Sequence, residues 1–200
     1  MFSKEKSRVF LKSLVNFSKN IQVEKETVNL NKALIEYQEL LNPLVRKGIK
    51  MKYSCDANLS LSVIRSDFEQ LLLNLVINAR DAMEENDGVI TIIAEDKSIE
   101  EPIDFLHYQI PSGQYLCISV EDNGGGIKAE NLAKIFNPFF TTKETGKGTG
   151  IGLATVVSIM QKNQGYFRVE TEVGVGSKFS LYFSKSQNVV DNEESLAEIA

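Results

Sequence analysis

The sequence predicts an α/β fold, a two-layer sandwich in which a mixed sheet packs on three helices, preceded by an N-terminal helix. Three observations carry that prediction. Segments that alternate apolar and polar residues, as half-buried strands do, interleave with segments of helical periodicity. The strands include hairpin pairs, so the sheet is not purely parallel. The 200 residues, 42% hydrophobic, suffice for one core plus a helical appendage.

Within residues 3–21, Phe10, Leu14, Phe17 and Ile21 recur at three- and four-residue steps. They predict a helix with one apolar stripe, which needs a partner in this domain or in another chain. Val28–Leu30 reads as a short strand. Asn31 can cap a helix running to about Arg46, with Gly48 as its stop, and Pro43 predicts a kink or early break inside it. Residues 49–55 and 59–64 have strand alternation. A second helix is predicted from about Ser66 to Glu85, closed by the turn signal Asn86-Asp-Gly88. Residues 89–94 and 115–120 are strands rich in β-branched side chains, and residues 97–113 between them read as a surface excursion without chemistry of its own. After Asp122 come a loop, a short helix near 129–135, and a long Gly/Thr/Lys-rich loop. A third helix runs from near Thr149 to about Asn163, and residues 165–170 and 178–183 form a closing hairpin. From Ser184 the composition turns polar and acidic, as in a linker or tail.

Bulk properties exclude some function classes. A net charge of −5 disfavours nucleic-acid binding, which calls for a basic stripe. No apolar run reaches the roughly 18 residues that a membrane span needs, and the first residues lack a signal peptide's apolar segment, so a cytoplasmic chain is expected. Cys55 and Cys117 lie far apart in sequence and have no metal-ligand spacing, which reads as reduced and structural.

Three segments carry candidate chemistry. On the second helix, Asn74, Asn78 and Asp81 stand at i, i+4 and i+7 and share a face, while Leu72, Leu73, Val76 and Ile77 occupy the others. Polar groups buried there unpaired would each cost about 1–3 kcal/mol, so the stripe faces either solvent or a ligand. Asp122, at a strand end and followed by Gly124 and Gly126, can offer its carboxylate to an exocyclic amine while the backbone approaches closely; a tight turn with an Asx cap is the alternative. In the loop 137–150, Thr141, Thr142, Lys143, Lys147 and Thr149 are interspersed with Gly146, Gly148 and Gly150, and Gly152 follows. Glycine N–H groups and the following helix start suit phosphate oxygens, and the lysines supply compensating charge. Such a loop is expected to become ordered on binding a phosphate-bearing ligand. Phe136, Phe139 and Phe140 would anchor its near end, although Phe136 can equally be ordinary core. The P-loop pattern is absent.

The motifs Asn74-Leu-Val-Ile-Asn78-Ala-Arg-Asp81 and Asp122-Asn-Gly-Gly-Gly-Ile127 are followed by Asn137-Pro-Phe-Phe-Thr-Thr-Lys143 and Gly146-Lys-Gly-Thr-Gly-Ile-Gly-Leu153. In that order they resemble the N, G1, F and G2 boxes of the histidine-kinase catalytic domain. This domain has the Bergerat fold of the superfamily that also contains Hsp90, DNA gyrase B and MutL. The resemblance implies ATP and Mg²⁺ as ligands, with Asn78 coordinating the metal and Asp122 accepting from the adenine 6-amino group, which excludes guanine. It implies catalytic roles for Asn78 and Lys143. Nucleotide contacts would come from Asn74, Asp81, Gly124, Gly126, Ile127, Thr142, Lys147, Gly148, Thr149, Gly150, Gly152 and Leu153, with Ser177 near the adenine.

The resemblance spans about residues 5–185 and is closest to the CckA-like hybrid kinases of alphaproteobacteria. In that family the pattern Leu14-x-x-Phe17-Ser18 marks the end of the second helix of the dimerisation and phosphoacceptor domain. Residues 1–22 are thus expected to end that helix, 23–185 to form the catalytic domain, and 186–200 to be an acidic tail or linker. The implied partners are a phosphoacceptor histidine domain, absent here, and a response-regulator receiver, and the resemblance allows a homodimeric, membrane-anchored parent protein. His107, the only histidine, sits in the excursion rather than on a helix and is read as incidental, so self-phosphorylation of this chain is not expected.

Superfamily hydrolases place a water-activating Glu one helical turn before the metal-binding Asn; here that position is Asn74, and an amide cannot take the proton. A kinase needs no such base, because imidazole is itself the nucleophile. Three alternatives remain open: a serine kinase of the same superfamily, a conformational ATPase, and a degenerate nucleotide-binding module.

Overall fold

The computed structural model describes residues 24–83, 88–143 and 148–185. The expectations for residues 3–21, for the acidic tail, and for Gly146 and Lys147 lie outside the described residues. The first element is strand β1 (Glu26–Asn29), followed at once by helix α1 (Leu30–Leu41). Asn29, not Asn31, is the cap: its backbone is extended (φ −73, ψ 114) and its side-chain oxygen accepts from Lys32 N at 3.0 Å. The helix ends at Leu41 rather than near Arg46, where Pro43 turns the chain into one 3-10 turn, Asn42–Leu44.

Strands β2 (Ile49–Cys55) and β3 (Ser60–Val63) are sequence neighbours but separate in space. β3 pairs antiparallel with β1, and β2 pairs parallel with β4 (Gly88–Ile99). Between β3 and β4 runs helix α2 (Arg65–Asp81), which buries Phe68, Leu71, Leu72, Leu75, Val76 and Ala79. The main sheet continues through β7 (Gly113–Asp122), β9 (Gly176–Ser184) and the edge strand β8 (Tyr166–Glu172), in the order β2-β4-β7-β9-β8. All pairings after the first are antiparallel, so the sheet is mixed, as predicted. β4 and β7 outrun their predicted lengths because they stay paired past Ala94, through the charged stretch Glu95-Asp96-Lys97, as far as Ile99↔Gly113. Helices α1, α2 and α4 (Gly152–Lys162) supply the helical layer of the core. The short α3 (Ala129–Leu132) precedes the Gly/Thr-rich loop.

The excursion between β4 and β7 is not a plain surface loop. It folds as a hairpin of β5 (Ile103–Phe105) and β6 (Tyr108–Ile110) with Phe105 and Ile110 buried. Ile110 joins Ile99, Tyr115, Cys117 and Tyr182 in a second apolar cluster. Phe105 meets Phe167 edge to face with ring centroids 6.0 Å apart. An edge strand leaves backbone groups unpaired, and on β8 the hairpin satisfies two of them. The Tyr108 hydroxyl donates to the Phe167 carbonyl and accepts from Phe167 N at 3.3 Å. Burial pushes the Tyr108 hydroxyl up to about 12, so it stays protonated at neutral pH. Tyr108→Phe is expected to lower the unfolding free energy by about 1–2 kcal/mol, measured by urea titration, because two backbone groups lose their partner. An unchanged midpoint would refute this edge-capping role.

Candidate functional site

Helix α2 is the spine of the site. Leu71, Leu72, Leu75, Val76 and Ala79 hold it against the core, which turns Asn74, Asn78 and Asp81 toward a cavity of about 560 Å³. Opposite stand Thr141–Lys143, Gly148–Ile151, and the first turn of α4, with Gly152, Leu153 and Thr155. Thr142, Lys143, Gly148, Thr149, Gly150, Gly152 and Leu153 thus line one cavity with Asn74, Asn78 and Asp81. Gly152 sits against the asparagines: a β-carbon added there would stand 3.4 Å from Asn74 Oδ1 and 3.8 Å from Asn78 Nδ2. The positive end of the α4 dipole thus points at the same space. Gly150 has φ +64, and a side chain on it would run into the backbone of Phe139. Its carbonyl accepts from Phe139 N at 2.9 Å, which closes the base of the loop.

The amide nitrogens of Asn74 and Asn78 are buried without a hydrogen-bond partner among the described residues. Buried N–H donors without a partner are rare in folded proteins and call for an acceptor, such as a phosphate oxygen or water. Among the described residues that line the cavity, Asp81 is the one carboxylate. Lys143 Nζ donates to Asp81 Oδ2 at 2.6 Å, and Arg80 Nε to Asp81 Oδ1 at 2.7 Å. Burial pushes the Asp81 carboxyl up, but the hydrogen bonds from Lys143 and Arg80 outweigh it and hold the group below its ordinary range. Among the described residues, no cluster of three or more His, Cys, Asp or Glu could hold a metal ion.

Asp122 and Ser177 belong to a second region. They face each other across β7 and β9 and line a groove of about 570 Å³ with Thr91, Asn123 and Thr171. This groove shares no lining residue with the Asn74–Asn78 cavity. Asp122 is 6% exposed, and its Oδ1 accepts from Gly124 N at 2.9 Å. Burial raises its carboxyl, partly offset by backbone N–H groups of Gly124 and Ser177, while the nearby Glu121 adds a smaller upward push.

The two regions meet at the C-terminus of α2, where Gly125 N donates to Ala82 O at 2.9 Å, one turn beyond Asn78. Gly126 has φ +68, and its α-carbon lies so near the Glu172 carbonyl that no side chain fits. Ile127 packs on the core and donates through its backbone N to Thr171 Oγ1 at 2.8 Å.

Of the three phenylalanines expected to anchor the loop, Phe136 packs on Phe167 with ring centroids 4.8 Å apart, and Phe140 lines the cavity. Phe139 is 71% exposed and anchors nothing through its ring. His107 lies on the exposed turn between β5 and β6, away from either region. The sequence reading missed Gln70, Ile77, Arg80 and Thr155, which line the cavity. Gln70 stands four residues before Asn74 on the same helical face, a periodic signal that was available. It also missed Thr171, whose hydroxyl donates to the Gly176 carbonyl at 3.0 Å and ties the Asp122 loop to the β8–β9 turn.

The family described as histidine kinase-, DNA gyrase B-, and HSP90-like ATPase matches residues 64–187. Sensor kinase CckA of Brucella abortus (strain 2308) is 37% identical over 88% of this chain and 18% of its own length. Sensor histidine kinase ZraS of Escherichia coli (strain K12) is 32% identical over 91% of this chain and 36% of its own length. The chain therefore spans about a fifth to a third of these curated relatives. The catalytic domain of histidine kinase ThkA superposes with a TM-score of 0.60 at 28% identity, over 81% of this chain and 96% of that one. This chain belongs to the histidine kinase-, DNA gyrase B- and HSP90-like ATPase family and, within it, is an ATP-binding catalytic domain of the sensor-histidine-kinase type.

Proposed function

We propose that this domain binds ATP with Mg²⁺ and transfers the γ-phosphoryl group to a histidine of a separate dimerisation and phosphoacceptor domain. That step would break the bond between the γ-phosphorus and the bridging oxygen and form a phosphorus–nitrogen bond, with ADP leaving. The relay would continue to a response-regulator receiver.

The carrying observation is the face of α2. The amide nitrogens of Asn74 and Asn78 are buried without partners beneath the first turn of α4, donors that suit phosphate oxygens, and among the described residues no unpaired carboxylate lines the cavity beside them. An amide oxygen suits a hard cation that takes most of its other ligands from phosphates and water, so Asn78 would hold the metal. Bound Mg²⁺ supplies neutralisation of charge on the terminal phosphates. The Gly148–Gly152 backbone and Lys143 would bind and orient those phosphates, while Asp122, with Ser177 beside it, would accept from the adenine 6-amino group. Among the described residues that line the cavity, none is free to serve as a base for water, because Asn74 cannot accept a proton and Asp81 is occupied by Lys143 and Arg80. Positioning and electrostatics, which dominate phosphoryl transfer, are what this cavity provides.

The test mixes the purified chain with a separately purified phosphoacceptor domain of a CckA-like kinase and labelled ATP. Acid-labile label on the acceptor's histidine, with little on this chain alone, is expected. Acid-labile label on the isolated chain that His107→Gln removes would overturn the reading.

A further inference from the structure

Asp81 stands on the face of α2 that the reading above gives to nucleotide, yet its surroundings are those of an anion already satisfied. One carboxylate oxygen takes Lys143 Nζ at 2.6 Å and the other takes Arg80 Nε at 2.7 Å. Arg80 is fixed in turn from a distant element: its NH1 donates to the Leu44 carbonyl at 3.1 Å, at the 3-10 turn after α1. The carboxylate is therefore held from behind, with its Lys143 side directed into the cavity that Asn74, Asn78 and Gly152 line. Lys143 is the loop's charged contribution to that cavity among the described residues, and its ammonium is committed to Asp81.

Resting on the ATP-binding reading, we propose that Asp81 is a built-in competitor of the polyphosphate, a carboxylate that occupies Lys143 in the empty cavity and sets the affinity for phosphates rather than contributing to it. A polyphosphate entering beside Asn78 brings negative charge toward the same ammonium. It must either displace Asp81 from Lys143 or lie beside an ionised carboxylate, and both weaken binding. In the empty cavity Lys143 and Arg80 outweigh burial and hold the Asp81 carboxyl below its ordinary range, so an arriving polyphosphate meets an ionised carboxylate already on the ammonium. Arg80 is the positioning residue: anchored on Leu44, it prevents the carboxylate from swinging out of the cavity when Lys143 leaves. The pair is partly exposed, with side-chain accessibilities of 31% for Lys143 and 17% for Asp81, so its effect on affinity is moderate rather than prohibitive.

Calorimetry with ADP and, separately, with inorganic triphosphate and pyrophosphate, all in excess EDTA, tests this on the full chain, on Asp81→Asn, on Lys143→Gln and on the double variant. Asp81→Asn is expected to bind ADP and triphosphate roughly fivefold tighter, the size expected when a partly exposed ion pair no longer has to be broken. Lys143→Gln is expected to bind more weakly, and in its background Asp81→Asn gains less than about twofold, since the competition has lost its object. Asp81→Glu, which keeps the charge, should show no gain. If Asp81→Asn does not fold, Asp81→Ser replaces it, with the same expectation.

Weaker or unchanged binding by the neutral variant overturns the proposal, because Asp81 would then serve the nucleotide. So does a gain that persists without Lys143, which would indicate general repulsion, and so does the absence of triphosphate binding in every variant. Loss of the adenine reading has a different signature: triphosphate binds with the expected pattern while ADP binds no better than pyrophosphate.

Discussion

Asn78→Asp is expected to reduce phosphoryl transfer to an acceptor histidine in trans by about 100-fold or more, while the fold survives. The substitution preserves size and position on α2 but replaces a neutral oxygen donor by a charge. That charge would sit one helical turn from Asp81 and among the groups proposed to receive the phosphates, where like-charge repulsion opposes the nucleotide itself. The fold should tolerate the change because the Asn78 amide nitrogen has no hydrogen-bond partner to lose among the described residues. The measurement is the initial rate of label transfer to a separately purified phosphoacceptor domain, alongside a thermal melt. A wild-type transfer rate in the folded variant would eliminate the metal-ligand role.

Asp122 governs the other end of the proposed site. The domain should prefer ATP to GTP by about 100-fold or more, because a buried acceptor meets the 6-oxo acceptor of guanine. Asp122→Asn should cost ATP about 2 kcal/mol, roughly 30-fold in affinity, and narrow the preference, since an amide can turn a donor toward guanine. Protein stability should not fall with it. Burial raises the Asp122 carboxyl above its unfolded value. The stability linked to that raised group is fully present below the unfolded value and lost as pH rises through the folded one. At neutral pH the ionised carboxylate is therefore a cost that Asn removes. The same raised value makes ATP affinity fall on acidification sooner than an ordinary carboxylate would, and Asp122→Asn should abolish that slope. Equal calorimetric affinities for ATP and GTP in the wild type would refute the adenine assignment.

The fold was legible where short-range regularities report it. The apolar face of α2, the alternation of β2 and the closing hairpin β8–β9 repeat within a few residues, so residue order alone reveals them. Boundaries were less legible. Asn29 and Asn31 are chemically equal caps, and only the extended backbone of Asn29, set by β1 pairing with β3, decided between them. The β5–β6 hairpin escaped notice because its strands are three residues each, and its stability comes from Phe105, Tyr108 and Ile110 packing on distant elements.

The sequence by itself determined the two-layer α/β class, the polar face of α2 and the glycine-bearing segments around it, because each depends on helical or strand period and on local backbone freedom. It also placed an amide, Asn74, one helical turn before Asn78. Only the tertiary structure decided what those side chains meet. Lys143 reaches Asp81 across 62 residues of chain, and Tyr108 reaches the Phe167 backbone across 59. It likewise divided the predicted residues between a cavity beside Asn78 and a groove at Asp122, joined at the end of α2. A charge in a sequence can pair with any opposite charge the chain brings near. Which one it meets follows from how the loop after α3 and the strand order return the chain to α2, and no local pattern encodes that return.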